Sequence, residues 1–219
     1  MNSENAERRT SNAAGRRLLV ATSNAAKMRE LVALFADLPL TLVSLADLPS
    51  PVPPPDETGA TCEVNARLKA SAYALASGLP CLAEDSGFEV EALGGRPGVH
   101  SARVPGDSDA ARMAWVYGEL DALGSRRSRA AFVSVMAVAR PDGEVVHVSE
   151  GRVVGDVAPE PRGSHGFGYD PMLLHPSTGR TFAELTQDEK AEVSHRGLAA
   201  QATHAWLANH LDSLMPADA

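Results

Sequence analysis

The stretch LAEDSGFEV, Leu82 to Val90, sets Glu84 and Asp85 side by side among apolar residues. Burying unpaired charge is costly, so these carboxylates need cationic partners or a metal wherever the chain places them. Four other stretches carry residues that could complete a site. TSNAAK, residues 22–27, runs Thr22, Ser23, Asn24, Ala25, Ala26 and Lys27 from an apolar segment into a helical pattern, and a helix N-terminus favours a phosphate group. Glu57 precedes a helical segment with Asn65 and Lys69 at i and i+4, which project the same way. GFGYDP, residues 166–171, supplies Phe167, Gly168, Tyr169 and Asp170; glycine admits close approach of backbone to a ligand, and an aromatic ring can stack on a base. In QDEKAEVSHRG, residues 187–197, Lys190, Ser194, His195 and Arg196 form a dense donor cluster. Carboxylates from separated segments suit a hard cation such as Mg²⁺, which shares its oxygen ligands with substrate phosphates.

Each stretch alone has an ordinary structural reading. Asp-Ser-Gly is a common turn, TSNAAK could be an ordinary helix cap with a solvated Lys27 and Ser194 the cap of a solvated helix start, and Glu57 suits a helix start. GFGYDP could be an aromatic plug over a core. Their combination favours a nucleoside triphosphate site, in a chain with no GxxxxGK[ST] loop and no GxGxxG between strand and helix. There is no HExxH, and without GxSxG Ser86 is a poor hydrolase nucleophile.

The elements that must position these residues follow from periodicity. RRLLVAT (16–22) reads as a buried strand and TLVSL (41–45) as a second. Between them Met28, Leu31, Val32, Phe35 and Leu38 recur at helical spacing. Five of the fifteen prolines fall within residues 49–55, a stiff loop. The segment from Cys62 to Gly78 is helical, with Val64, Leu68, Ala72 and Leu75 expected to form its buried face and Asn65 and Lys69 to flank it. LPCLAED (79–85) and GFEVEAL (87–93) read as two strands separated at Ser86, the second half-exposed with Phe88, Val90 and Ala92 inward. Ser108 should cap a helix over 108–123. Segments 129–140 and 144–155 around Pro-Asp-Gly make a hairpin, and 196–211 a final helix.

Alternating strands and helices over 219 residues, 44% hydrophobic and 22% charged, predict one α/β domain, or one domain with two lobes, built on a mixed sheet flanked by helices over residues 17–213. Residues 1–16 read as a disordered tail. A net charge of −8 argues against a nucleic-acid polymer as partner. No apolar run reaches the ~18 residues of a membrane helix, and the two cysteines, Cys62 and Cys81, read as free thiols of a reducing compartment; the expected location is the cytoplasm.

These stretches resemble the inosine/xanthosine triphosphate pyrophosphatase family. TSNAAKMREL is similar to its T-[GS]-N-x-x-K-x-x-E-[LI], ETGATCEVNARLKA to E-T-G-x-T-x-x-x-N-A-x-x-K-A, and AEDSGFEVEALGGRPGVHSAR to the block built on D-S-G; GFGYDP and ELTQDEKAEVSHRG match the closing blocks. The resemblance implies an elongated mixed-sheet α/β fold in two lobes with the active site in a central cleft, hydrolysis of non-standard purine triphosphates (ITP, dITP, XTP) to the monophosphate and pyrophosphate, Mg²⁺ dependence and a homodimer. By motif, Thr22 to Lys27 and Lys69 would hold the triphosphate, and Glu57 and Asp85 the metal. Asp85 would also be the proton acceptor, and Ser86 would touch substrate. Phe167 to Asp170, Lys190, His195 and Arg196 would surround the base. Ala26 departs from a frequent Gly or polar residue, and Cys62 from a frequent aromatic, read as a packing change. Two alternatives stay open: a regulator that binds nucleotide without turnover, and a pyrophosphatase for modified pyrimidine nucleotides.

Overall fold

The computed structural model describes residues 15–215. Most of the expected tail, residues 1–14, therefore lies outside the described residues; Arg16 is tied down, pairing with Asp212 and accepting from Thr41 N at 2.7 Å.

β1 (Arg17–Ala21) is apolar and buried after its first residue. It pairs in parallel with β2 (Thr41–Ser44) on one side and with β3 (Cys81–Val90) on the other. β5 (Arg129–Ala139) runs antiparallel to β3 over ten residue pairs, and β6 (Val145–Val157) antiparallel to β5. β7 (Leu173–Leu174) closes that edge, and β4 (Pro97–Gly98) pairs with the end of β3. The result is a mixed sheet in the order β2-β1-β3-β5-β6-β7.

Helices cover both faces. α1 (Ala25–Leu34) and the long α5 (His195–Leu214) pack Leu31, Phe35, Leu207 and Leu211 against Leu18, Val20, Leu82 and Met136. α2 (Cys62–Ser77) lies on the opposite face, over Leu19, Ala21, Cys81 and Ala83. A third core at the far end joins Phe88, Val90 and Phe132 to Val116 and Leu120 of α3 (Asp109–Ala122) and to Tyr169 and Phe182. α4 (Gln187–Val193) leads directly into α5 through Ser194, whose hydroxyl accepts from Gly197 N at 3.0 Å. α3 has the expected cap: Ser108 accepts from Ala111 N.

Four expectations are corrected. Asp85-Ser86-Gly87 is no turn: β3 runs unbroken from Cys81 to Val90 because β5 pairs with it along its whole length, and the strand ends at Val90, leaving Ala92 exposed. The buried face of α2 is also different. Val64, Leu68 and Leu75 are exposed, while Cys62, Asn65, Ala66, Ala70, Tyr73 and Ala74 face the sheet. Alanines at i, i+4 and i+8 let the helix sit close on the strands, and close packing rewards that fit over side-chain size. In α1, Val32 is exposed.

Candidate active site

β3 loses its neighbour halfway. Its pairing with β1 ends at Ala83, opposite Ala21, and β4 joins only at Phe88. Glu84 to Gly87 thus have no partner strand on that edge. Ligands in open α/β sheets bind in the crevice beyond the carboxyl ends of parallel strands, and β1 ends at this gap, where residues 22–24 turn into α1. Successive side chains of a strand point to opposite faces, so Glu84 and Ser86 look toward α1 and α5, whereas Asp85 looks toward α2.

On the first face, Lys27 Nζ donates to Ser86 Oγ at 2.9 Å and lies 3.1 Å from Glu84 Oε2. Glu84 Oε1 accepts from Ser134 Oγ at 2.8 Å and from Arg196 Nε at 3.0 Å. Burial alone would raise the Glu84 pKa, but the charges of Arg196 and Lys27 hold it well below the usual carboxylate range. Arg196 Nη1 reaches Glu30 Oε2 at 2.6 Å, and Glu30 Oε1 takes Lys190 Nζ at 3.0 Å. On the second face, Lys69 Nζ bridges Asp85 Oδ1 at 2.8 Å and Glu57 Oε1 at 2.9 Å, and Glu57 also pairs with Arg103. Desolvation opposes the Lys69 charge, yet the two carboxylates raise its pKa; the same desolvation works against Glu57, whose pKa Lys69 and Arg103 lower.

The phosphate-loop candidate is partly self-capped. Asn24 Oδ1 accepts from Ala26 N and Lys27 N at 2.9 and 3.1 Å, and Thr22 Oγ1 from Asn24 N at 3.2 Å. Two helix N–H groups are therefore occupied; Asn24 lines the pocket with Lys27, Ser86 and Gly87, and Ser23 and Ala25 are exposed.

A pocket continues from Lys27 and Ser86 to Phe167, Gly168, His195 and Arg196. Lys190 Nζ and the Arg196 guanidinium lie over the Phe167 ring at 5.0 and 5.2 Å from its centroid. Asp170, buried, accepts from Phe167 N at 2.8 Å and from Lys190 Nζ at 2.7 Å. Burial raises the Asp170 pKa, with Lys190 opposing. A Cβ on Gly166 would lie 2.0 Å from Asp170 Oδ2, and its φ is +75°, so this turn requires glycine. Tyr169 is committed to the fold: it stacks on Phe88 at 5.0 Å and donates to Ser101 O at 2.8 Å. His195 stacks on Phe132 at 4.6 Å and is buried; desolvation first, then the Arg196 charge, depresses its pKa well below the ordinary histidine value.

The structure thus gathers residues from five separated stretches at the open edge of β3. Lys190, His195 and Arg196 are buried rather than lying on a solvated helix start. Sequence reasoning assigned no role to Glu30, Ser134 or Asp109, the last accepting from Gly168 N at 2.6 Å. Two of them left a trace: Glu30 follows Lys27 by one helical turn, and Ser134 is a lone hydroxyl inside an apolar strand. Among the described residues no group of three or more His, Cys, Asp or Glu side chains is placed to hold a metal by itself. Asp85 Oδ2 is nonetheless buried without a hydrogen-bond partner. Two carboxylates, one with an unpaired oxygen, fit an ion that draws its remaining oxygens from phosphate and water.

An α/β sheet with lysines converging on an open strand edge, and a ring-and-cation pocket beside it, defines a cleft for a polyanion bearing a flat heterocycle. The chain belongs to the Ham1 family, whose model matches residues 18–206. It is 45% identical to the dITP/XTP pyrophosphatase of Deinococcus deserti, covering 92% of this chain and 93% of that protein. It is 46% identical to a dITP/XTP pyrophosphatase of Thermus thermophilus, over 86% of this chain and 90% of that protein. The structure of a HAM1 protein from Coxiella burnetii superposes with a TM-score of 0.81 at 36% identity, covering 89% of this chain and 99% of that one.

Proposed function

We propose that this protein hydrolyses non-standard purine nucleoside triphosphates, ITP, dITP and XTP, to the monophosphate and pyrophosphate, and so clears them from the nucleotide pool. The observation that carries this reading is the placing of Lys27 on Ser86 and of Lys69 on Asp85, neighbouring residues of the unpaired edge of β3, with the Phe167–Arg196 pocket beside Lys27. The catalytic unit is residues 17–213. Its location is the cytoplasm; no helix of the described residues is long and apolar enough to cross a membrane. Its assembly is a homodimer.

Glu57 and Asp85 would hold Mg²⁺, which when bound supplies charge neutralisation at the phosphates and acidifies a coordinated water. The chain's own residues do the rest. Lys27, Lys69 and the donors from Thr22 to Ala26 bind and orient the triphosphate, and the lysines offset charge that would repel the nucleophile and charge that develops on the leaving pyrophosphate. Asp85 orients the attacking water and accepts its proton. Ser86, held by Lys27, contacts substrate beside the reacting phosphate.

Base choice rests on the 6-position. Inosine and xanthosine carry an oxygen acceptor there and adenosine an amino donor. Arg196 is held by Glu84 and Glu30 and still has unused N–H groups. His195, kept neutral by burial, can donate from one ring nitrogen. A 6-amino group against these donors leaves them unpaired, at about 1–3 kcal/mol each. Phe167, Gly168, Tyr169, Asp170 and Lys190 shape the pocket around the ring.

Incubation with ITP and Mg²⁺, with separate assays for pyrophosphate and orthophosphate, tests the reading, and a panel of ITP, XTP, dUTP and TTP tests the substrate class. Release of orthophosphate, binding without turnover, or a preference for the pyrimidines would refute it.

A further inference from the structure

Glu57 sits in a loop that supplies almost no hydrogen bonds of its own. Residues 49–60 form neither helix nor strand, and five prolines among them remove backbone donors. Among the described residues, the backbone of this loop makes one hydrogen bond to the rest of the fold: Gly59 N donates to Asn65 Oδ1 at 2.8 Å. Asn65 is fully buried on the sheet side of α2, one turn before Lys69. Because Gly59 N can pair only with an acceptor, the amide oxygen faces the loop, and Asn65 Nδ2 is left buried with no partner. A buried amide half of which is unsatisfied is a poor choice for stability alone, since leaving such a donor unpaired costs about 1–3 kcal/mol.

The fit on the loop side is equally tight. A Cβ on Gly59 would lie 2.6 Å from Asn65 Oδ1 and 2.8 Å from Val64 Cβ. Two residues upstream, Glu57 meets Lys69 from the same helix at 2.9 Å, and Lys69 in turn holds Asp85 at 2.8 Å. The helix therefore grips the loop at two points a turn apart.

We infer that Asn65 and Gly59 form a latch that fixes Glu57 beside Asp85, making Asn65 a positioning residue for the divalent cation; the inference rests on the reading of Glu57 and Asp85 as metal ligands. Releasing the latch lets the proline-rich loop move away and takes Glu57 out of the site, although neither Asn65 nor Gly59 itself is placed against substrate.

The test is a titration of the full chain with Mn²⁺ alone, followed by electron paramagnetic resonance of the free ion, in wild type, Glu57→Gln, Asn65→Ala, Gly59→Ala and the double variant. Asn65→Ala and Gly59→Ala are each expected to weaken Mn²⁺ binding by roughly 10–100-fold, the range found when groups that orient metal ligands are lost. The double variant is expected to be no weaker than the worse single one, because both changes undo one contact. Thermal melts without metal report folding separately, and the binding constant is compared among folded samples. Unchanged Mn²⁺ affinity in both folded variants, or additive losses in the double variant, overturns the latch while Glu57→Gln still weakens binding. If wild type binds no Mn²⁺, or Glu57→Gln binds as wild type does, the metal reading itself falls and the latch with it.

Discussion

Glu84→Gln tests the buried charge network directly. The substitution keeps the shape of the side chain and removes its charge. In the native protein Glu84 faces Arg196 Nε at 3.0 Å, Lys27 Nζ at 3.1 Å and Ser134 Oγ at 2.8 Å, with almost no exposure. Breaking a buried pair by removing one partner costs about 3–5 kcal/mol. Arg196 keeps Glu30, and the Lys27 side chain is partly exposed to water, so the lower end applies, about 3 kcal/mol. For a chain of this size that corresponds to a Tm lower by roughly 6–12 °C. The pH dependence is equally specific. Because Glu84 has its pKa lowered in the folded state from 4.5, its contribution is fully present above pH 4.5 and is lost as pH falls below that value toward the folded pKa. Urea unfolding of both proteins from pH 7 to pH 3.5 would show a constant gap down to about 4.5, then a narrowing of about 1.4 kcal/mol per further pH unit. A gap under about 1 kcal/mol at pH 7, or one that does not narrow in acid, would refute the assignment of Glu84 as the ionised hub of the network.

Three further outcomes are expected. Asp85→Asn should lower kcat by about 10²–10⁴-fold, the usual contribution of a positioned proton acceptor, while circular dichroism stays near wild type; near-normal kcat would remove Asp85 from the role of base. Arg196→Ala should narrow the ITP-over-ATP ratio of kcat/KM by roughly 10–100-fold, the equivalent of one or two unpaired donors, and an unchanged ratio would exclude Arg196 from reading the base. Gly166→Ala forces a side chain into Asp170 at a φ of +75°; it should loosen the Phe167 loop and raise KM for ITP more than it lowers kcat, and steady-state kinetics showing the reverse would place that loop outside substrate binding.

Much of the scaffold was legible from local pattern. The 3.6-residue period marked α1, and good caps marked the starts of α3 and α5 at Ser108 and Ser194. The Pro-Asp-Gly signal marked the β5–β6 hairpin. These features depend on residues within a few positions of one another, so the chain's own order states them. The motif set likewise marked Lys27, Lys69, Asp85 and Arg196 as one group.

Long-range pairing decided the remainder. Asp85-Ser86-Gly87 has the composition of a turn, and it becomes the middle of a strand only because β5 pairs along all of β3 and because glycine lets Gly98 O pass where a Cβ on Gly87 would sit 2.5 Å away. The face of α2 was settled the same way: its larger apolar residues predicted one side, but the sheet accepts the alanine side, and that rotation is what turns Asn65 and Lys69 toward Glu57 and Asp85. Nor could spacing say that Glu84 and Asp85, adjacent in the chain, serve opposite faces of the sheet with separate lysines. Charge compensation acts through space, between residues as far apart in the chain as Lys27, Glu84 and Arg196. Composition can therefore announce that buried carboxylates need partners, while only the folded topology determines which partners they meet.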